Sequence, residues 1–480
     1  MLLATANGGG YRFGSSDQAF YIPVVLRALD ASAFPRDASL IDAQGRLMLT
    51  DELLAGIMRT TGVSMEMLFL AGYLLSMALL WCGLLLIARS TTANRWLIVA
   101  LAAAFTLRHR IPRTSANSFE PYFHPRMIAF SLGVLAVAAM LRRRPWTAIL
   151  LISLAALVHI TTAMWFGVVI GVALAVLDVR FRRLAVAGMI AGAALLVWVA
   201  TAGPLRAAMT AMDAVWLQAV AGKDSLFATQ WPVWAWAANL AMVALLWWAH
   251  RRRLSQGLAR PEDGALVWGA TALVALFLVT LPLIVARVAL PVQLQIPRVF
   301  WLVDVLATIY VIGAVRRERV AAVLGAALLA LSIGRAVYVL AIEHPERPPF
   351  GTHLAGSPWE SAMQWLRQQP LDTHVLADPG HAWKYGSSVR VSAQRDVLVE
   401  DVKDSAIAIY SRDVAVRYVE RMNAIGDFGA LTAEKAFDLG RRYDLDFVIS
   451  EHDIDLPVAY RNERFRIYAL PTPESRIPNP

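Results

Sequence analysis

Apolar runs long enough to cross a hydrocarbon layer of ~30 Å recur along this chain with short arginine-rich breaks between them. A chain so built has to satisfy its backbone inside lipid, and helices do that within each segment. Of its 480 residues 58% are hydrophobic and 17% charged, which excludes an ordinary soluble domain. Spans read near 67–88, 96–107, 127–141, 146–158, 160–177, 184–201, 233–249, 266–286, 299–315 and 320–342. The expected fold class is therefore an α-helical polytopic membrane protein with about ten transmembrane helices.

The basic clusters assign the sides. Arg142, Arg143 and Arg144, then Arg180, Arg182 and Arg183, then Arg251, Arg252 and Arg253, then Arg316, Arg317 and Arg319 all fall in short loops, and one assignment makes every one cytoplasmic. The apolar stretch between the first two clusters is too long for one crossing, so it turns near His159 at the outer surface. The same assignment puts residues 1–65, the loops 108–126, 202–232 and 287–298, and everything after 343 outside. Residues 1–10 hold neither a charged n-region nor an apolar h-region, so the expectation is that a first transmembrane helix precedes this sequence. The net charge of +9 is mostly this loop arginine, and no nucleic-acid partner is expected. The single cysteine, Cys82, lies in an apolar run, can form no intrachain disulfide, and is expected to pack. Tryptophans such as Trp231, Trp234, Trp247 and Trp248 fit interfacial anchoring.

Around 343–358 the long apolar runs end in a segment rich in Pro, Gly and His, and a tail with mixed periodicity follows. Helices are expected at 359–369, 404–424 and 432–443, buried strands at 373–377 and 446–450, and a hairpin at 458–470 around Asn462-Glu463. The division is thus a first outer loop with amphipathic helices at 1–65, a membrane bundle at 66–343 and a small extracytoplasmic α/β domain at 344–480. The tail has no glycine-rich phosphate loop, nucleophile elbow or zinc spacing. Its charged residues His381, Lys384, Arg390, Glu400, Asp401, Lys403 and Asp404 read as a solvated, salt-bridged surface.

The assigned outer face collects the chemically capable side chains. Asp17 leads into an amphipathic helix at 19–29, and Asp37 follows it. Either carboxylate can act as a general base or bind a divalent metal, and Asp17 can equally serve only as a helix cap. Arg108, His109, Arg110, Arg113, Glu120, His124 and Arg126 crowd the next outer loop, against the usual charge bias. Phosphate binding accounts for such arginines, since guanidinium grips phosphate oxygens bidentately; pairing with Glu120, Asp17 or lipid headgroups is the alternative. His159 can face the same space as His124. Arg298 stands at the outer end of a span with Asp304 six residues deeper, either lining a wet cavity or forming a salt bridge, and Arg287 ends the preceding span.

An acidic first-loop motif (Ser16-Asp17-Gln18-Ala19-Phe20-Tyr21), an amphipathic helix behind it, many short spans and an extracytoplasmic C-terminal domain together resemble the glycosyltransferase-C superfamily. The stretch Glu120-Pro121-Tyr122-Phe123-His124-Pro125-Arg126 is similar to uncharacterised bacterial membrane proteins allied to it. The resemblance implies a bacterial inner-membrane enzyme that moves a sugar from a polyprenyl-phosphate donor to an extracytoplasmic acceptor, a glycan, lipid or protein of the envelope. It implies Asp17 as catalytic base or as ligand of a divalent metal (Mg²⁺ or Mn²⁺), with Asp37 or Glu120 as a second carboxylate. Arg126, Arg287 or Arg298 would hold the lipid phosphate, while Arg110, His124, His159 and Asp304 complete the expected substrate-binding set. The motif has Asp-Gln where many members have two acids. A transporter or flippase, or a catalytically silent scaffold, is the alternative; no inverted repeat or matched pair of broken spans favours transport.

Overall fold

Asn94, His124, His159 and Asp178 each turn a side-chain acceptor onto a backbone N–H two or three residues further on, and each of these caps opens a helix where an apolar run begins. The computed structural model describes residues 1–480 apart from 46–48, 204–205, 353–355 and 472–480. Small parts of the expected loops 1–65 and 202–232 and of the tail therefore lie outside the described residues. The chain is mostly helical.

Helices stand at all ten expected places: α1 (Met65–Thr91), α2 (Arg95–Thr106), α3 (Pro125–Leu141), α4 (Pro145–Val158), α5 (Ile160–Leu177), α6 (Val179–Thr201), α7 (Val233–Ser255), α8 (Pro261–Val285), α9 (Val299–Gly313) and α10 (Glu318–Tyr338). Seven are long and apolar enough to cross a membrane, α9 being extended by the turns from Ala289; α2, α3 and α4 are shorter apolar helices. Cys82 is exposed on α1 instead of packed, because the helical phase turns it away from the neighbours that bury Trp81 and Leu84.

The chain divides into two compact units. The first comprises Met1–Tyr11, Ala71–Met212 and Lys223–Phe350; the second comprises Arg12–Leu70, Asp213–Gly222 and Gly351–Pro480. In the first, glycines let helices approach closely, since no Cβ fits at Gly133 against Phe166 or at Gly269 against the Val169 carbonyl. Its α7 and α8 ends are locked by Arg253, which donates to the Gly313 carbonyl (2.7 Å) and lies 3.5 Å from the buried Asp263, itself bonded by the Tyr310 hydroxyl at 2.9 Å. The short helix Leu2–Asn7 is pinned by Thr5 to Tyr73 (2.7 Å) and Asn7 to Ser332 (2.9 Å).

The second unit carries a five-stranded mixed sheet. In chain order its strands are β1 (His374–Leu376), β2 (Asp396–Val397), β3 (Phe447–Ser450), β4 (Val458–Arg461) and β5 (Arg466–Ala469), laid side by side as β2-β1-β3-β5-β4. β1 runs parallel to both neighbours, with Val375 opposite Phe447 and Val397, while β3, β5 and β4 are antiparallel. Pro358–Arg367 buries Trp359, Ala362, Met363 and Leu366 against one face of this sheet, and Ala433–Tyr443 covers a core around Leu398, Leu439 and Val448. The helix expected at 404–424 is two, Asp401–Ile407 and Arg412–Ile425; Ser411 caps the second.

The same unit gathers first-loop residues with the tail. Arg390, Glu400, Lys403, Asp404 and His381 are buried, correcting the expectation of a solvated charged surface: their charges are compensated internally. Arg390 bridges Asp404 (2.6 Å) and Asp37 (2.8 Å), and Ser388 donates to Glu400 (2.5 Å).

Candidate functional site

Three helices of the first unit begin close together, and each begins with a cation or a histidine. His124 is the N-cap of α3 and takes the Arg126 backbone N–H on Nδ1 at 3.1 Å. His159 is the N-cap of α5 and takes the Thr162 backbone N–H on Nδ1 at 3.3 Å. With Nδ1 accepting, the proton of the neutral His159 ring lies on Nε2. Arg298 stands at the N-cap of α9.

The His159 ring feels the charges of His124, Arg126 and Arg298. Burial above all, and then these three neighbours, holds the imidazole well below the usual histidine range. Three helix N-termini add their own positive ends to two guanidinium groups. Such a concentration of positive potential suits a multiply charged anion such as a phosphate.

Glu120 is the buried counter-charge. Its carboxylate accepts from Arg108 (2.8 Å), Asn117 (3.0 Å) and Arg126 (3.5 Å), so this residue sets the direction of the Arg126 guanidinium. Arg126 also lies 5.7 Å over the Trp301 ring, which stacks on Phe130 at 3.7 Å. Asp304 pairs with His109 (3.0 Å), whose other ring nitrogen meets the Ala104 carbonyl at 3.2 Å. Burial pulls the His109 pKa down, but Asp304 and that carbonyl outweigh it and raise the value, as expected of a ring donating from both nitrogens. Neither His109 nor Trp301 stands out in the sequence; His109 is one basic residue among several, and Trp301 one of sixteen tryptophans.

The remaining expected residues are placed as follows. Arg110 is exposed on the short strand Arg110–Ile111, which pairs with Ala116–Asn117. Arg287 stacks over Phe227 at 4.4 Å and carries a left-handed backbone (φ 59°), as does Gln295 (φ 49°) just before Arg298. Non-glycine residues so strained are held there by their surroundings.

Asp17 and Asp37 belong to the second unit. Asp17 occupies the N-cap position of Gln18–Leu29 without a side-chain capping bond; its carboxylate takes the Lys403 ammonium at 3.1 Å. Asp37 is fully buried. It accepts from Arg390 (2.8 Å), the Val397 backbone N–H (3.2 Å) and Arg417, with Arg421 at 3.9 Å. Burial alone would raise its pKa, but Arg390 and Arg417 hold it well below the carboxylate range. Asp396, which takes the backbone N–H groups of Arg36 and Asp37 at 3.0 Å, is pushed up to about 7 by burial and by the Asp37 charge. Among the described residues no three of His, Cys, Asp and Glu stand together as metal ligands, and the Lys403 ammonium competes for the Asp17 carboxylate. These side chains do not fit a resident divalent cation.

Neither protein-family models nor curated proteins give a match to this chain.

Proposed function

We propose that this chain is a multi-pass membrane glycosyltransferase of the glycosyltransferase-C type, resident in the bacterial inner membrane with its tail domain outside. In this reading it transfers a sugar from a polyprenyl-phosphate donor to an extracytoplasmic acceptor. The supporting observation is the meeting of Arg126, Arg298, His124 and His159 at three helix N-termini, a device for holding a phosphate at the end of apolar helices. The acceptor hydroxyl attacks the anomeric carbon and gives up its proton to a carboxylate base, the role that the resemblance implies for Asp17. The bond from that carbon to the phosphate oxygen breaks, and the electron pair leaves with the lipid phosphate. Arg126 and Arg298 stabilise the charge that grows on the departing oxygens, and the His159 Nε2–H is a donor for the same oxygens. Glu120 acts through Arg126 as a positioning residue.

A lipid-phosphate flippase would use the same cationic cluster without the chemistry. The deciding experiment uses the full-length protein in lipid nanodiscs with a polyprenyl-phosphate sugar. Arg126→Ala is expected to lose both retained donor and transfer, whereas Asp17→Asn keeps the donor and loses transfer. Full transfer by a folded Asp17→Asn protein removes Asp17 as the base, and binding without transfer to any envelope acceptor turns the reading to the flippase.

A further inference from the structure

The last turns of α7 carry Ala244, Trp247, Trp248, Arg251, Arg252 and Ser255 at alternating steps of three and one, which sets them on one face of the helix. Together they line a recess of about 580 Å³. Trp247 is fixed within it: the indole N–H donates to the Thr271 hydroxyl of α8 at 3.0 Å, and the ring meets Trp268 edge-on at 5.0 Å. The Arg252 guanidinium lies 5.7 Å over the Trp248 ring.

The protein leaves the charges of this face unanswered. Arg253, the next residue, is buried against Asp263 and the Gly313 carbonyl, and Arg143 of another basic cluster pairs with Glu262. Arg251 and Arg252 are exposed, and among the described residues neither meets a carboxylate. At a rise of ~1.5 Å per residue Arg251 stands roughly 27 Å along α7 from Val233, where a hydrocarbon layer of ~30 Å gives way to headgroup phosphates. From Arg252 the recess continues roughly 12 Å back along the helix to Ala244, into the depth where an acyl chain begins. A free phosphate has nothing to place there. A choline or ethanolamine headgroup brings its own cation against two arginines, and the indole face that would receive that cation already carries Arg252.

We infer that this recess is a site for an anionic glycerophospholipid, with the phosphate diester at Arg251 and Arg252 and the start of an acyl chain along Trp248 and Ala244. The site stands apart from the glycosyltransferase reading, at the end of the bundle that the loop arginines assign to the cytoplasm. To test it, the full-length protein is stripped of lipid in a neutral detergent and offered phosphatidylglycerol and phosphatidylcholine of identical acyl chains in equal amounts, and native mass spectrometry counts the lipids retained. Wild type is expected to keep phosphatidylglycerol in preference. Arg251→Gln combined with Arg252→Gln should lower phosphatidylglycerol affinity at least about tenfold. Trp248→Leu, which leaves both charges in place, should lower it about two- to fivefold. Arg142→Gln combined with Arg144→Gln removes two exposed charges from another loop and should bind as wild type does. Equal losses in the two double variants would reduce the effect to general charge and overturn the site. So would unchanged binding after loss of Arg251 and Arg252, or a preference of wild type for phosphatidylcholine. Complete displacement of the lipid by an equal concentration of glycerol 3-phosphate would make the occupant a free phosphate ester and overturn it as well.

Discussion

Replacing Asp37 by Asn separates two roles that a buried carboxylate can play. The side chain takes Arg390 at 2.8 Å and Arg417 together with the Val397 N–H, while Arg421 waits at 3.9 Å. Asn keeps the shape and one acceptor but removes the charge, so Arg390 keeps only Asp404 and Glu400 while Arg417 loses its carboxylate partner. Breaking one member of a buried ion pair costs about 3–5 kcal/mol, because the other member stays desolvated. For a body of roughly 150–250 residues each kcal/mol moves the unfolding midpoint by ~2–4 °C, so a drop of roughly 6–20 °C is expected. Pulse proteolysis of the full-length protein across a temperature ramp reads this, with cleavage sites in the tail domain identified by mass. A variant whose tail domain melts where the wild type does, yet which transfers no sugar, would refute the structural role and return Asp37 to the catalytic set.

Two further expectations concern the same fold. Asp396 holds its proton up to about pH 7 in the folded unit but only to ~3.8 when unfolded, so its stabilising contribution is lost as pH rises across that interval. His374, pulled down to about 4 chiefly by burial, acts in the opposite sense, because the unfolded chain binds a proton there up to ~6.5. Asp396→Asn should therefore make the midpoint at about pH 8 rise relative to that at about pH 5, compared with wild type; a parallel shift at both would contradict this. In the first unit, Gly269→Ala drives a methyl into the Val169 carbonyl and should cost about 1–3 kcal/mol, whereas Gly192→Ala meets nothing within 4 Å and should cost none, as thermal unfolding in detergent will show.

The helical body was legible because its signals are local. Each apolar run carries its own boundary, and the caps Asn94 and Asp178 announce themselves in the sequence. The cluster of His124, Arg126, His159 and Arg298 was reachable because the alternation of spans brings their helix starts to one end. Two-residue strands such as Asp396–Val397 carry no periodicity to read, and the break between the helices Asp401–Ile407 and Arg412–Ile425 hides inside a pattern that suits one long helix. Nor does anything near Asp37 or Arg390 indicate that they meet, since 353 positions separate them. The burial of the tail's charges follows from that pairing and was invisible for the same reason. His109 was passed over in favour of Arg298 as the partner of Asp304, because spacing along one helix is visible in sequence and a hairpin folding back is not.

The second unit is assembled from the beginning and the end of the chain, residues 12–70 and 351–480. Its buried ion pairs and sheet cannot close while the ribosome is still making the segment between, so this unit forms only after synthesis is complete, and its first-made part waits unfolded through most of translation. A truncation that removes Arg390, Lys403 and Arg417 thereby also strips partners from Asp37 and Asp17, made hundreds of positions earlier. Quality control of this protein would register such damage at its first loop as well as at its tail.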